Sequence, residues 1–112
     1  MVQNRNKLIV IFIGHVSNVA VHRILMKAAI EKEGLAEKYL KETRGSFVIA
    51  LEYRRKINPT YRVLPDAFEV REEIARKVKS ELMLRISRGY SGIELDSVGE
   101  AVNKVLRELG AA

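Results

Sequence analysis

Two runs of consecutive apolar residues stand out along the chain, and both are typical of β-strands. The first covers residues 8–13 (LIVIFI) and the second covers residues 47–53 (FVIALEY). Both runs are rich in β-branched or aromatic residues and are largely continuous rather than alternating, as in strands that are buried on both faces. We therefore predict strands over 8–13 and 47–53, with Gly14 ending the first.

Two weaker patterns predict further strands. Asn58-Pro59 is a turn signal, and the short run 61–64 after it suggests that 46–64 forms a hairpin. Alternating Leu82, Leu84 and Ile86 favour a fourth strand over 82–87, although the same residues could extend the preceding helix. The loop 88–92 that follows favours the strand.

Apolar residues at helical spacing predict the remaining elements. One helix is expected to begin at a cap formed by Ser17 or Asn18, and a second, short helix falls within 35–45. A third opens at Pro65 and carries an apolar residue at every fourth position from 70 to 82.

The last helix has the clearest signals at both of its ends. Ser97 and Glu100 have the spacing of a capping box, and Gly110 is a natural stop after the apolar face between them. The order is therefore βαββαβ followed by a C-terminal helix. It predicts an α/β (α+β) protein with a ferredoxin-like sheet of three or four strands and helices on one face.

Length and composition predict one domain over 1–112, with residues 1–6 as a flexible N-terminus. Hydrophobic residues make up 47% of the chain, enough for a core, and cysteine is absent. The run 8–13 is too short for a membrane span or a signal peptide, so we expect a cytoplasmic protein with no membrane contact. Abundant Glu, Lys and Arg with a single Gln are typical of thermophile proteins.

A net charge of +6 permits contact with nucleic acid, whose phosphates attract Lys and Arg. At the tip of the expected hairpin, basic residues could contact phosphates while tyrosines stack on bases. The alternative is that these charges only keep an edge strand from aggregating. The candidate nucleic-acid residues are Tyr53, Arg54, Arg55, Lys56, Tyr61, Arg62 and Arg88, which Arg85 and Tyr90 could join.

The turn after the first expected strand is a second candidate site. Backbone N–H groups at a helix N-terminus bind anions, so His15, Ser17 and Asn18 form a candidate anion site. The plainer alternative is that Ser17 or Asn18 caps the helix and His15 is an ordinary residue. The spacing of His15 and His22 does not suit a shared metal ion, and no glycine-rich phosphate loop occurs.

The chain has no recognisable catalytic motif, so we expect a non-enzymatic domain without cofactors. The leading hypothesis is a nucleic-acid-binding module, and a homodimer is expected to cover apolar surface that a small sheet leaves open. A protein-interaction or structural subunit is one alternative. A regulatory domain that binds an anion or small molecule at the 14–18 turn is the other.

Overall fold

The regular secondary structure of the described part of the chain is entirely helical. A computed structural model describes residues 5–28, 35–57 and 67–111, and within these ranges there is no β-strand. The expected ferredoxin-like α+β sheet is therefore wrong, and the protein is a bundle of helices. The helices are α1 (Arg5–Ala28), α2 (Leu35–Ile57), α3 (Ala67–Ser87) and α4 (Val98–Glu108), the last entered through a 3₁₀ turn (Leu95–Ser97).

Helix α1 is the centre of the bundle and contacts each of the other three helices. Its buried residues cover most of its circumference, as in a core helix, although Val10 and Asn18 are exposed. The run 8–13 therefore begins a buried helix and not a strand, because a continuous apolar run fits both structures equally well. The buried residues of α1 are Leu8, Ile9, Phe12, Ile13, Val16, Ser17, Val19, Ala20, Val21, Ile24 and Leu25.

The second expected strand lies inside α2. The helix buries Ala50 and Arg54, four residues apart, and exposes the β-branched Val48 and Ile49 just before them. Packing against α1 has outweighed the strand preference of the 47–53 run, as tertiary contacts commonly do. The hairpin expected over 46–64 is also absent as far as residue 57. Residues 58–66, including the expected strand 61–64, lie outside the described ranges.

Helix α3 confirms the helix predicted from apolar residues at every fourth position, but it continues to Ser87. The expected strand over 82–87 is wrong. Leu82 is fully buried, whereas Leu84 and Ile86 are exposed. A strand would have placed all three side chains on one face, whereas the helix turns Leu84 to the side opposite Leu82.

Helices α3 and α4 end in the same way. The N–H of Tyr90 donates to the carbonyl of Arg85 (3.1 Å), and the N–H of Ala111 donates to that of Leu106 (2.9 Å). Gly89 and Gly110 precede these donors with φ of 98° and 71°, which completes two Schellman motifs. The predicted stop at Gly110 is therefore confirmed.

The predicted capping box at the start of α4 is wrong. Ser97 has helical backbone angles and its side chain does not cap the helix. Its Oγ instead donates to the carbonyl of Glu94 (2.7 Å) within the 3₁₀ turn. The capping role had been assigned from spacing alone, and the 3₁₀ turn shifts the serine out of the cap geometry.

Among the described residues, α1 is the one helix long and apolar enough to cross a membrane. Within the bundle, 61% of its span-like stretch is buried by protein. The core helix of a soluble protein meets the same criteria of length and composition. The finding is compatible with a soluble or a membrane-associated protein.

Candidate functional site

A cleft of about 340 Å³ lies between α1 and α3. The α1 residues in its wall follow helical spacing, so they share one face, and those of α3 recur at every fourth position. Gly14 helps to keep the cleft open, because no atom lies within 4 Å of where its Cβ would be. The lining residues are Gly14, Ser17, Asn18, Val21 and His22 from α1, and Lys77, Glu81 and Arg85 from α3.

His22 connects the cleft to α2. Its Nε2 lies 3.2 Å from Oε2 of Glu42, and its ring stacks on Tyr39 with the centroids 5.7 Å apart and the planes at 19°. Its Nδ1 is buried and has no hydrogen-bond partner among the described residues. A neutral imidazole that donates Nε2–H to Glu42 leaves Nδ1 as an acceptor whose hydrogen bond is not made.

The charge of His22 depends on its surroundings. Burial, the largest influence, lowers the pKa of His22 from its ordinary value of 6.5. Nearby Glu42 and Glu81 oppose this change, while Arg85 and Lys38 reinforce it. His22 is therefore predominantly neutral at pH 7, and an anion bound beside it would favour the protonated form.

Arg85 is held at the end of the cleft by contacts on two sides. Its Nε donates to Oε1 of Glu81 (3.3 Å), and its guanidinium lies 5.6 Å from the ring centre of Tyr90. Tyr90 in turn shares a hydrogen bond with Tyr39, and burial together with this bond raises the pKa of Tyr39 above 10.0. These contacts restrict the guanidinium and so reduce the entropy it would lose on binding a ligand.

Lys77 is the second cation of the cleft, and it lies two turns before Arg85 on the same helix face. Among the described residues, no carboxylate is within ion-pair distance of it. Because Glu81 offsets the charge of Arg85, the lining carries one net positive charge, that of Lys77, while His22 is neutral. It carries two when His22 is protonated. The cleft therefore combines an unpaired ammonium group, a restrained guanidinium and the amide of Asn18.

The three residues of the predicted anion site are divided by the structure. Asn18 is exposed and lines the cleft, and Ser17 also borders it. Ser17 is buried and its Oγ donates to the carbonyl of Ile13 (2.7 Å). His15 stacks on Tyr53 with the centroids 6.4 Å apart. The helix N-terminus on which the prediction depended is absent here, because residues 14–18 lie in the middle of α1.

The predicted nucleic-acid residues do not form a hairpin tip. Arg54 is fully buried in α2, where its guanidinium cannot reach a phosphate backbone. Tyr53 is half-buried between His15 and Lys56, whose Nζ lies 4.6 Å from the centre of the tyrosine ring.

The other predicted nucleic-acid residues have different positions. Arg55 and Arg88 are exposed, on α2 and on the loop after α3 respectively. Lys56 is exposed and pairs with Glu52. Tyr61 and Arg62 lie outside the described residues. Among the described residues, the structure places Tyr53 in contact with Lys56, and the optional members Arg85 and Tyr90 in contact with each other, but it gathers no wider cluster.

Lys77 and Glu81 were not predicted from the sequence, and Arg85 was predicted only as an optional member of the nucleic-acid surface. Lys77, Glu81 and Arg85 recur at every fourth position, so they had to share one face of the helix predicted from Pro65. The prediction of a strand over 82–87 hid this pattern, because it removed Arg85 from the helix. Tyr39 and Glu42 carried no comparable signal, since their role depends on how α2 packs against α1.

The positive charge is partly neutralised and partly free. Among the described residues, the cations that form ion pairs with glutamates include Arg23, Lys56, Arg71, Arg76 and Arg85. On α2, Lys38, Lys41 and Arg44 are exposed, and no carboxylate of the described residues is within ion-pair distance of them. The same holds for exposed cations on the other helices, so the free charge is spread over the bundle and is not gathered at the predicted triplet 54–56: these cations are Lys7, Lys27, Lys79, Lys104 and Arg107.

Comparison with known proteins does not assign this site. The chain matches no protein-family model, and no curated protein or solved structure matches it. Within 5–28, 35–57 and 67–111, no three histidine or carboxylate side chains are grouped so that they could hold a metal ion. The chemistry of the cleft therefore has to be argued from its own residues.

Proposed function

We propose that this protein is a non-enzymatic binding domain that holds a phosphate-bearing ligand in the cleft between α1 and α3. The observation that carries the proposal is the convergence of Lys77, Arg85 and Asn18 on one cleft beside His22. An ammonium group and a guanidinium are the usual protein partners of phosphate oxygens, and an amide adds a neutral donor. A volume of about 340 Å³ is within the range of small-molecule pockets.

The residues also favour binding over catalysis. Glu42 is engaged by His22 and Glu81 by Arg85, so each acid of the cluster already has a partner. The cleft has no aligned nucleophile, because the hydroxyl of Ser17 donates to a backbone carbonyl. The cluster is therefore suited to recognising charge and not to transferring a group.

The test uses inorganic pyrophosphate as the probe and isothermal titration calorimetry as the measurement. We expect Lys77→Ala to weaken binding about tenfold, since a charge-assisted hydrogen bond contributes roughly 1.5–3 kcal/mol. Lys41→Ala, which removes the same charge from an exposed site on α2, is the matched control and should bind normally. Equal losses in both variants, or no binding by the native chain, would contradict the cleft as the site.

Nucleic acid is a second candidate ligand, and the free cations of α2 favour it. Lys38, Lys41 and Arg44 follow one another at intervals of three residues, which distributes positive charge over an exposed helix surface. A short single-stranded oligonucleotide should then bind with an affinity that falls steeply with salt. Lys41→Ala/Arg44→Ala should weaken this binding, and it should lower by about two the slope of the logarithm of the binding constant against the logarithm of the salt concentration.

The two candidates are separable with the same variants. If Lys77→Ala alone weakens pyrophosphate binding, the ligand is a small phosphate-bearing molecule in the cleft. If only the α2 double variant weakens oligonucleotide binding, the ligand is a nucleic acid that contacts α2.

A further inference from the structure

Helix α3 has a second surface, on the side opposite the cleft. The residues that form this surface lie within about a quarter of the helix circumference when they are placed at 3.6 residues per turn. All are exposed, including the large apolar side chains Phe68 (68%) and Met83 (54%). The surface, called here the α3 stripe, consists of Phe68, Glu72, Arg76, Lys79, Met83 and Ile86.

Two pairs of residues in the α3 stripe are placed symmetrically about the middle of the helix. Phe68 and Met83 are equally far from the midpoint between residues 75 and 76, and so are Glu72 and Lys79. A second α3 laid antiparallel across this midpoint would therefore bring Phe68 against Met83 and Glu72 against Lys79. Arg76, beside the midpoint, would lie near its own copy, and in each chain its charge is offset by an ion pair with Glu73. A two-fold axis generates this arrangement, since in a C2 interface each contact occurs twice.

We infer that the α3 stripe is the interface of an antiparallel homodimer of this chain. In it, Phe68 packs on the partner's Met83, and Glu72 pairs with the partner's Lys79. The stripe also borders a groove of about 430 Å³ between α3 and the start of α4, with Leu95 and Val98 in its wall.

Charge complementarity selects a second copy over an unrelated partner. Glu72 and Lys79 lie one on each side of the midpoint, so the stripe presents opposite charges at the two positions that a two-fold axis exchanges. The inference does not depend on the proposed phosphate site, because Lys77 and Arg85 lie on the other face of α3.

A charge exchange tests the inference. The native chain should be a dimer by light scattering after size-exclusion chromatography. Glu72→Lys and Lys79→Glu should each raise the dissociation constant of the dimer at least tenfold. Each substitution places like charges against each other at both symmetry-related contacts. The double variant Glu72→Lys/Lys79→Glu should restore it, because every pair is then reversed. A native chain that remains monomeric at millimolar concentration, or a double variant no stronger than the singles, would overturn the inference.

Lys77→Glu is the matched control, since it makes the same charge change two residues away on the opposite face. It should dimerise normally while losing pyrophosphate binding. Circular dichroism of each variant reports whether the helices are intact, and exposed substitutions of this kind generally leave the fold unchanged. Loss of dimer without loss of pyrophosphate binding in Lys79→Glu separates this inference from the proposed function.

Cross-linking gives a second measurement that does not rely on charge. The sequence contains no cysteine, so Phe68→Cys/Met83→Cys introduces the only two thiols. Within one chain they are about 22 Å apart along the helix, too far for a disulfide. In the antiparallel dimer they meet, and mild oxidation should give a covalent dimer on a non-reducing gel. A yield no greater than that of either single-cysteine variant would contradict the antiparallel arrangement.

Discussion

The backbone N–H of Tyr90 donates to the carbonyl of Arg85, and the tyrosine ring lies 5.6 Å from the guanidinium of the same arginine. The Schellman motif at the end of α3 thus determines where a side chain of the cleft is held. In such motifs the residue after the glycine packs on the residue five positions before it. Here that contact joins the helix end to the candidate ligand site.

Gly89 should be needed for this helix end. Its φ of 98° is unfavourable for residues with a Cβ, so Gly89→Ala should lower the free energy of unfolding by about 1 kcal/mol. Gly45→Ala is the control. Gly45 lies within α2 with no atom within 4 Å of where its Cβ would be, so this change should stabilise by roughly 0.5–1 kcal/mol. Urea unfolding of both variants measures the difference. Changes in unfolding free energy of the same sign in both variants would contradict the two backbone conformations.

Substitutions of Arg54 and Arg55 should differ sharply in their effect on stability, although the two residues are neighbours in the sequence. Arg54 is fully buried, so Arg54→Ala should lower the free energy of unfolding by about 3 kcal/mol. Arg55 is exposed, and Arg55→Ala should change it by less than about 0.5 kcal/mol. Thermal and urea unfolding of the two variants test the helix directly. In a hairpin tip both arginines would be exposed, and both substitutions would be mild.

His22 should make stability depend on pH. Its pKa is lower in the folded protein than its ordinary value of 6.5, so the unfolded chain binds more protons below that value. The contribution of His22 therefore favours folding above about pH 6.5 and is lost as the pH falls below it. His22→Gln should show a smaller fall in unfolding free energy between about pH 7.5 and about pH 5.5. Identical falls in both proteins would exclude His22 as the source.

Anion binding in the cleft should be coupled to proton uptake by His22. Protonation adds a positive charge beside Arg85, so an anion of constant charge should bind more tightly as the pH falls. Sulfate is a suitable probe, because it remains doubly charged throughout this range. We expect calorimetric titration to show tighter binding at lower pH in the native chain and no such trend in His22→Gln. A trend shared by both proteins would place the titrating group elsewhere.

Gly14 should control access to the cleft without being needed for the fold. A Cβ at this position meets no atom within 4 Å, so Gly14→Leu should fold and project its side chain into the cleft. Pyrophosphate binding should then fall at least tenfold, while Gly14→Ala retains most of it. A Gly14→Leu variant that folds and binds normally would contradict the cleft as the binding site.

The helical periodicity in the second half of the chain was readable from sequence, and the runs in the first half were not. Buried residues at 70, 74, 78 and 82 recur as a half-buried helix requires, and Gly110 stops α4 where predicted. The runs 8–13 and 47–53 gave the wrong structure for two different physical reasons. In α1 the exposed position of the run, Val10, is as apolar as the buried ones, so no polar residue reveals the helical period. In α2 the apolar residues are divided between the core and the solvent.

The candidate site was only partly predictable for a related reason. Asn18 and Ser17 were identified on an argument about helix ends that the structure does not support, and Arg85 was mentioned only as an optional member of another surface. What joins them is the packing of α3 beside α1, a contact between segments about sixty residues apart. Local patterns carry no information on which helix faces meet at that distance.

The central place of α1 has a consequence for synthesis of the chain. It emerges from the ribosome before the helices that pack on it, and the last of these, α4, is completed 80 residues after α1 ends. Throughout that interval the nascent chain exposes a long apolar segment, because part of the protein that will cover it has not yet been synthesised. Ribosome-associated chaperones recognise segments of this kind, so production of the protein should be more sensitive to their loss than its small size would suggest.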